Sequence, residues 1–344
     1  MKYTDLINQY ALIKEKGKLP FSGIISIEPT YRCNLSCSTC FYKKKHYNKE
    51  LNARNFIDFL DSVPNLTSIY FPAIEPLVKK GFFDIVNYLK KRDTPLLLLT
   101  NGTLINKKNF SKLVYFRRNI IMLSIDGDKD IHNKIRGANC FNSVVQAVKL
   151  LKDKCNLVIV CVICKDNVNE IWKMPRIIRN IGFNKITFEF ERKYTDKDIK
   201  ISQEIIGDKN GFSMLRQSKQ NKPTYSFEEL INSINKLEEE AKKYNITVDF
   251  LPLYFKEKIF DIYERRMREK YKLTCRYLNK IRIDPEGNFI HCFAVRSYFG
   301  NIMESSIEDI WNSKKYREFR KKILNHNLMP ICETCWGAIP IDEK

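Results

Sequence analysis

Gly23-Ile24-Ile25-Ser26-Ile27-Glu28-Pro29-Thr30-Tyr31-Arg32-Cys33-Asn34-Leu35-Ser36-Cys37-Ser38-Thr39-Cys40 reads as a short apolar strand, Gly23–Pro29, that runs into a loop of three cysteines. Alternation with Ile25 and Ile27 puts Ser26, Glu28 and Thr30 on one face of that strand. Further strand-like segments follow at Leu66–Phe71, Pro95–Thr100, Ile120–Asp126, Leu157–Cys164 and Lys185–Glu191. Helical patterns lie between them near Ala53–Asp61, Val78–Lys91, Lys107–Phe116, Phe141–Lys152 and Asn169–Asn180. Six such βα units in succession predict an α/β fold with a parallel sheet and helical crossovers, either open and doubly wound or a partial barrel. Periodicity alone does not choose between the two.

Cys33, Cys37 and Cys40 have C-x3-C-x2-C spacing, so three thiolates can converge on one centre. Structural zinc and ordinary iron–sulfur sites take four protein ligands, and no fourth cysteine lies nearby. Three ligands leave a coordination position open, as catalytic centres do. The plainer reading is a zinc site completed by His46 or a distant ligand, but zinc favours C-x2-C pairs.

This spacing at the end of a first strand resembles the radical S-adenosylmethionine superfamily. The resemblance implies a partial (β/α)6 TIM-like barrel and a 4Fe-4S cluster on Cys33, Cys37 and Cys40. It also implies S-adenosylmethionine on the open iron, cleaved to a 5′-deoxyadenosyl radical that abstracts a substrate hydrogen atom. Thr39 stands where an aromatic is common in the family, so Phe41 and Tyr42 are expected to supply packing and adenine contacts. Ala73-Ile74-Glu75-Pro76-Leu77 resembles the family's Gly-Gly-Glu-Pro segment with both glycines replaced, which implies Glu75 as receiver of the methionyl amine. Thr100-Asn101-Gly102 is a family-like turn that places Asn101 beside the cosubstrate. Leu123-Ser124-Ile125-Asp126-Gly127, continuing through His132-Asn133 to Arg136-Gly137, resembles members that carry auxiliary clusters. It implies that Ser124 and Asp126 face the ribose or methionyl end, and that Arg136 pairs with the cosubstrate carboxylate as a planar bidentate donor. His132 reads as a polar loop residue, and Glu189 and Glu191 as surface carboxylates on one strand face. Cys161 and Cys164 sit three apart on a strand and so point to opposite faces; with Cys140 and Cys155 they read as buried or inert thiols.

From Thr195 the pattern changes to polar, glycine-containing sequence. Ser226-Phe227-Glu228-Glu229 is a capping box opening the helix Phe227–Tyr244. A strand, Ile246–Leu251, and a charged helix, Phe255–Lys272, follow. Beyond them Asp284-Pro285-Glu286-Gly287-Asn288 reads as a turn between strands Lys280–Ile283 and Phe289–Cys292, which brings Cys275 and Cys292 together. Cys332-Glu333-Thr334-Cys335 adds a pair, and four thiolates satisfy zinc or a closed iron–sulfur cluster equally well. C-x11-G-x4-C, Phe299-Gly300-Asn301-Ile302, Ile310-Trp311-Asn312-Ser313 and the final pair resemble a SPASM/Twitch extension. With no cysteine after Cys335, the resemblance is to the shorter Twitch form. It implies one auxiliary 4Fe-4S cluster on Cys275, Cys292, Cys332 and Cys335, in a small C-terminal α+β iron–sulfur domain. The expected organisation is an N-terminal extension (1–22), the barrel (23–194), a helical linker shaping substrate access (195–271) and the auxiliary-cluster domain (272–344).

Composition fits this outline. The chain has 344 residues, 44% of them hydrophobic, enough for a sizeable core. Its longest apolar run, Leu157–Cys164, is too short to span a bilayer, and the N-terminus lacks a basic-then-apolar secretory pattern. A cytoplasmic protein with no membrane partner is expected. Eleven cysteines, an odd number, argue for a reducing compartment and metal ligation rather than a disulfide framework. The net charge of +20 comes from lysine spread over the whole chain, with only short clusters such as Lys43–Lys45, and reads as a solvated basic surface more than a nucleic-acid footprint.

The implied activity is a radical oxidoreductase that exchanges an electron through the auxiliary cluster and is fed by a reductant such as flavodoxin or ferredoxin. Only some twenty residues precede the first strand, which points to a small or carbohydrate-like substrate over a peptide. The alternative is a peptide maturase forming crosslinks or epimers. The rival from another class is a non-catalytic zinc and nucleic-acid-binding protein.

Overall fold

The structure, a computed structural model, describes residues 3–42, 49–72, 74–219, 222–252 and 254–341. His46, Lys43–Lys45 and Ala73 lie outside these. Its strands are β1 (Ile24–Ile27), β2 (Ser68–Phe71), β3 (Leu96–Thr100), β4 (Ile120–Ser124), β5 (Asn156–Ile163), β6 (Lys185–Phe190), β7 (Thr247–Leu251), β8 (Leu273–Cys275), β9 (Ile281–Ile283), β10 (Phe289–Ile290) and β11 (Ala338–Pro340). Strands β1 to β7 pair in chain order, each parallel to the next. The sheet continues past β1 through β9, parallel to it, and β10, antiparallel to β9, to give nine strands. Among the described residues its two edge strands, β10 and β7, do not pair with each other, as in a sheet or barrel left open on one side. A separate ribbon pairs β8 with β11.

Parallel strands need covering on both faces, and the sequence supplies it. On β3, Leu96, Leu98 and Thr100 are buried on one side of the sheet. Crossover helices cover the outside with residues at helical spacing: Phe82, Ile85, Val86 and Leu89 from Phe82–Lys91, and Val144, Ala147, Val148 and Leu151 from Phe141–Leu151. Six βα units stand where the pattern predicts them, with three local differences. The helix expected at Val78–Lys91 is a 3₁₀ turn, Pro76–Val78, and then Phe82–Lys91, because Gly81 at φ +79° breaks the run. Asn169–Asn180 divides into Val168–Lys173 and Met174–Asn180, where Pro175, lacking an N–H, opens the second piece. Lys107–Phe116 shortens to Phe110–Leu113.

Larger differences lie outside the barrel core. Ile246–Leu251, expected within a linker, is the seventh parallel strand, and the hairpin expected inside a C-terminal module completes the sheet beside β1. The helix expected over Phe255–Lys272 ends at Tyr263, resumes at Met267–Lys270 and gives way to β8. Helices Tyr3–Lys16, Lys129–Arg136, Asp196–Ile206 and Lys314–Asn325 were not expected. The third opens with a capping box, Thr195 with Asp198, whose short acidic partner replaces the usual Glu. No helix among the described residues is long and apolar enough to cross a membrane.

Candidate active site and second thiol centre

The cysteine loop leaves β1 and is fastened from three neighbouring strand ends. Within the loop, the Cys40 N–H donates to the Cys37 carbonyl (3.2 Å) and the Leu35 N–H points at Cys33 Sγ (3.4 Å). From the helix Lys129–Arg136, the Ile135 carbonyl accepts the Ser38 N–H at 2.8 Å. That helix ends at Gly137, φ +68°, where a Cβ would meet the Ser36 carbonyl oxygen at 3.0 Å. Glycine is required there, and it holds Arg136 against the loop.

Arg136 Nη1 reaches Cys37 Sγ (3.8 Å), while its Nε donates to Asp126 Oδ2 (2.6 Å). Asp126 is buried at the end of β4 and also accepts the Val162 N–H. Arg136 therefore has a carboxylate partner inside the protein, besides any it meets on a cosubstrate. Ser124, the last residue of β4, is half-buried. Glu75 is wholly buried after β2 and takes hydrogen bonds from the Thr100 hydroxyl (2.8 Å), the Asn101 N–H (2.8 Å) and the Leu77 N–H (3.1 Å). Burial pushes its carboxyl up to about 7 against those donors. Glu75 thus acts on the loop through Asn101, whose Nδ2 donates to Asn34 Oδ1 (2.9 Å) and lies 4.0 Å from Cys33 Sγ. Burial also raises the thiols of Cys33, to about 11, and Cys40.

Tyr42 is buried and donates its hydroxyl to Glu28 Oε1 at 3.2 Å. Glu28 is completely buried at the end of β1, with Arg282 of β9 on one oxygen (2.6 Å) and Arg296 on the other. Burial alone would raise Glu28; the two guanidinium groups outweigh it and hold the carboxyl below its ordinary range.

Two site residues escaped the sequence reading. His132 is a fully buried helical residue, not a loop one. Its Nδ1 accepts the Asp126 N–H (3.3 Å), so the proton sits on Nε2, 3.4 Å from Cys140 Sγ. Burial lowers it to about 4. Asn167 donates to the Asp126 carbonyl (2.9 Å) and caps the end of β5 through the Cys164 N–H (2.8 Å). The signal for His132 was its four-residue offset from Arg136 on a helix capped by Asp128; Asn167 carried none.

Cys275, Cys292, Cys332 and Cys335 line one apolar cavity with His291. The β8–β11 ribbon aligns Cys275 with Ala338, and Cys332 and Cys335 lie on the turn just before β11. Burial raises Cys275 and Cys332 well above the ordinary thiol range and Cys292 to about 11. Four soft donors around an apolar space fit a closed zinc or iron–sulfur centre, and three partly exposed thiols fit an open one. Among the described residues no three His, Cys, Asp or Glu donors are gathered to the spacing of a single metal ion; a four-iron cluster is wider than an ion.

Family models separate these possibilities. Residues 27–177 match the radical SAM superfamily, and residues 275–336 match SPASM, an iron–sulfur cluster-binding domain. The chain carries a radical SAM domain and a SPASM domain. As a radical SAM enzyme with a SPASM domain, it uses S-adenosylmethionine and a 4Fe-4S cluster and binds iron–sulfur at the SPASM region. It is 25% identical over 338 residues to the tungsten-containing aldehyde ferredoxin oxidoreductase cofactor-modifying protein of Pyrococcus furiosus, covering 90% of this chain and 86% of that protein. A cysteine-type anaerobic sulfatase-maturating enzyme of Clostridium perfringens is 23% identical over 353 residues, 88% of this chain and 83% of the enzyme. The mycofactocin maturase MftC of Mycolicibacterium smegmatis matches at 26% over 161 residues, 45% of this chain and 41% of its own. In fold, the chain resembles Streptococcus suis SuiB bound to S-adenosylmethionine (TM-score 0.66, 15% identity, 96% of this chain and 76% of that one).

Proposed function

We propose that this radical SAM enzyme is a maturase acting on a peptide or protein. The carrying observation is the likeness to a sulfatase-maturating enzyme over 88% of this chain, joined by the shorter match to a mycofactocin maturase. This moves the reading away from the small or carbohydrate-like substrate that the sequence suggested. A cleft of about 370 Å3 opens beside Cys40, between the ends of β5 and β6, and gives an extended chain a way in. A second reading, modification of an organic cofactor, is favoured by the Pyrococcus relative.

In this proposal Cys33, Cys37 and Cys40 hold the catalytic 4Fe-4S cluster, and Glu75, Asn101, Ser124, Asp126, Arg136 and Tyr42 surround S-adenosylmethionine. Cys275, Cys292, Cys332 and Cys335 hold one auxiliary 4Fe-4S cluster. The clusters supply the electron that cleaves S-adenosylmethionine and a place for the electron a substrate radical must lose. The residues do the rest. Asp126 fixes the Arg136 fork beside Cys37, Glu75 fixes Asn101 beside Cys33, and Phe41 packs on Phe293 (4.9 Å) next to Cys292. A barrel domain (23–194) and an auxiliary-cluster domain (272–344), with 195–271 shaping access, remain the proposed division. A cytoplasmic flavodoxin or ferredoxin is the proposed electron donor.

The test uses anaerobically purified, cluster-loaded protein and extracts of cells grown in heavy water, divided into peptide and small-molecule fractions. Transfer of deuterium into 5′-deoxyadenosine from the peptide fraction supports the maturase. Transfer only from the small-molecule fraction supports the cofactor reading instead. Two clusters require roughly eight irons per chain, with half lost in Cys275→Ala; about four in the parent protein overturns the auxiliary site.

A further inference from the structure

The cleft beside Cys40 is lined by five basic residues against two acidic ones. Asp166 is paired with Lys134 at 2.9 Å, and Glu191 has Lys193 at 3.7 Å, a loose ion pair. That leaves Lys165, Arg192, Arg216 and Lys219 as a positive excess in the cavity where a substrate would meet the radical. A cleft of one sign walled by protein concentrates the opposite charge.

Arg192 is the unusual member. It follows β6, and its side chain is only 8% exposed. Its guanidinium lies within 5.5 Å of the ring centres of Phe41, Phe293 and Trp336, neighbours in sequence of Cys40, Cys292 and Cys335. Three rings hold the cation without offering it an acceptor. Among the described residues its negative partners are the Cys335 thiolate, the stronger attraction, and Glu189, 3.9 Å away and beyond hydrogen-bond reach. Burial pushes Glu189 up despite Arg192, which weakens it further as a counter-ion. The Arg192 guanidinium makes no hydrogen bond to the described residues, so its N–H groups can meet a ligand carboxylate. Arg216, by contrast, is tied to the cysteine loop, its N–H on the Phe41 carbonyl (2.7 Å) and its Nη1 on the Ser38 carbonyl (3.2 Å).

We propose that the substrate is an acidic peptide whose side-chain carboxylate docks on Arg192, with Arg216 and Lys165 at the rim of the cleft. This rests on the maturase reading and narrows it to a substrate class. An Arg fork suits a carboxylate's two oxygens, and the fixed aromatic collar sets its orientation beside Cys40.

The test is isothermal titration of cluster-loaded, unreduced protein saturated with S-adenosylmethionine. The probes are acetyl-Ala-Glu-Ala-amide, its Gln isostere, glutarate and inorganic phosphate. The Glu peptide is expected to bind about tenfold or more tightly than the Gln one, with the margin shrinking as salt rises. R192Q should erase the margin, R192K should keep part of it, and R216Q should reduce it a few-fold. Equal binding of the two peptides, or no binding of either, overturns the proposal. So does an R192Q variant whose affinity for S-adenosylmethionine falls as far as that for the peptide, since Arg192 would then serve the cosubstrate. Glutarate or phosphate binding more tightly than the Glu peptide, with loss in R192Q, keeps the anion site but overturns the peptide reading.

Discussion

At single residues, the replaced family glycines have a visible consequence. Ile74, standing where the second glycine of Gly-Gly-Glu-Pro would be, has φ +61°, a region costing an L residue roughly 1–2 kcal/mol. Its side chain packs partly on the core, so removing it loses contacts in any variant. The informative comparison is between two truncations. Ile74→Gly should be more stable than Ile74→Ala by about 1 kcal/mol, the reverse of the usual order, by chemical denaturation. The motif was legible through Glu75 and Pro76, but its backbone strain was not, because a sequence match does not report φ. His132 gives a second test. Above pH 6.5 it is neutral whether folded or not; as pH falls toward its buried value of about 4, only the unfolded chain takes the proton. The protein should therefore lose on the order of 3 kcal/mol over that window on account of His132. His132→Gln, compared with the parent across pH 7 to 4, should show a shallower acid loss; parallel curves would contradict the neutral buried imidazole.

Among elements, the helix Lys129–Arg136 shows how placement follows from ends rather than from middles. Its Asp128 cap receives the N–H groups of Asp130 and Ile131, and its Gly137 terminus lies on the cysteine loop. Its eight residues include only two aliphatic ones, Ile131 and Ile135, a stretch too short and too polar for the pattern to show a helix. The long helix Phe227–Tyr244, with a capping box and a repeating apolar face, was legible to the residue. Gly137→Ala should cost about 1–2 kcal/mol from the left-handed φ alone. It should also push on Ser36 and so lower cluster content in anaerobic reconstitution. A full cluster complement in Gly137→Ala would show that this helix end does not shape the loop.

Across the whole molecule, the sheet joins segments that the chain keeps far apart. The six βα units were legible because each strand pairs with the next; β9 was legible as a strand but its place was not, because its partner β1 lies more than 250 residues earlier and no local pattern encodes that choice. Glu28 is where the two ends are locked. It accepts from Arg282 on β9, Arg296 beyond β10 and Tyr42 after the cysteine loop, all in the dry interior. The backbone supports the same join, with the Glu28 N–H on the Ile283 carbonyl at 2.9 Å. Removing one member of a buried ion network leaves the others charged and unpaired, at a cost of about 3–5 kcal/mol, whereas replacing the set with apolar groups is often nearly neutral. Glu28→Gln, which keeps size and one acceptor, should therefore destabilise by about 3 kcal/mol or more. The loss should appear as early proteolysis around residues 282–296, since two stranded guanidinium groups drive that hairpin away from β1. Arg282→Met with Glu28→Gln should recover part of the stability, because one fewer cation is left without a carboxylate. If Glu28→Gln melts with the parent and is cleaved no faster there, the join rests on backbone pairing and apolar packing, and the ion network is only its lining.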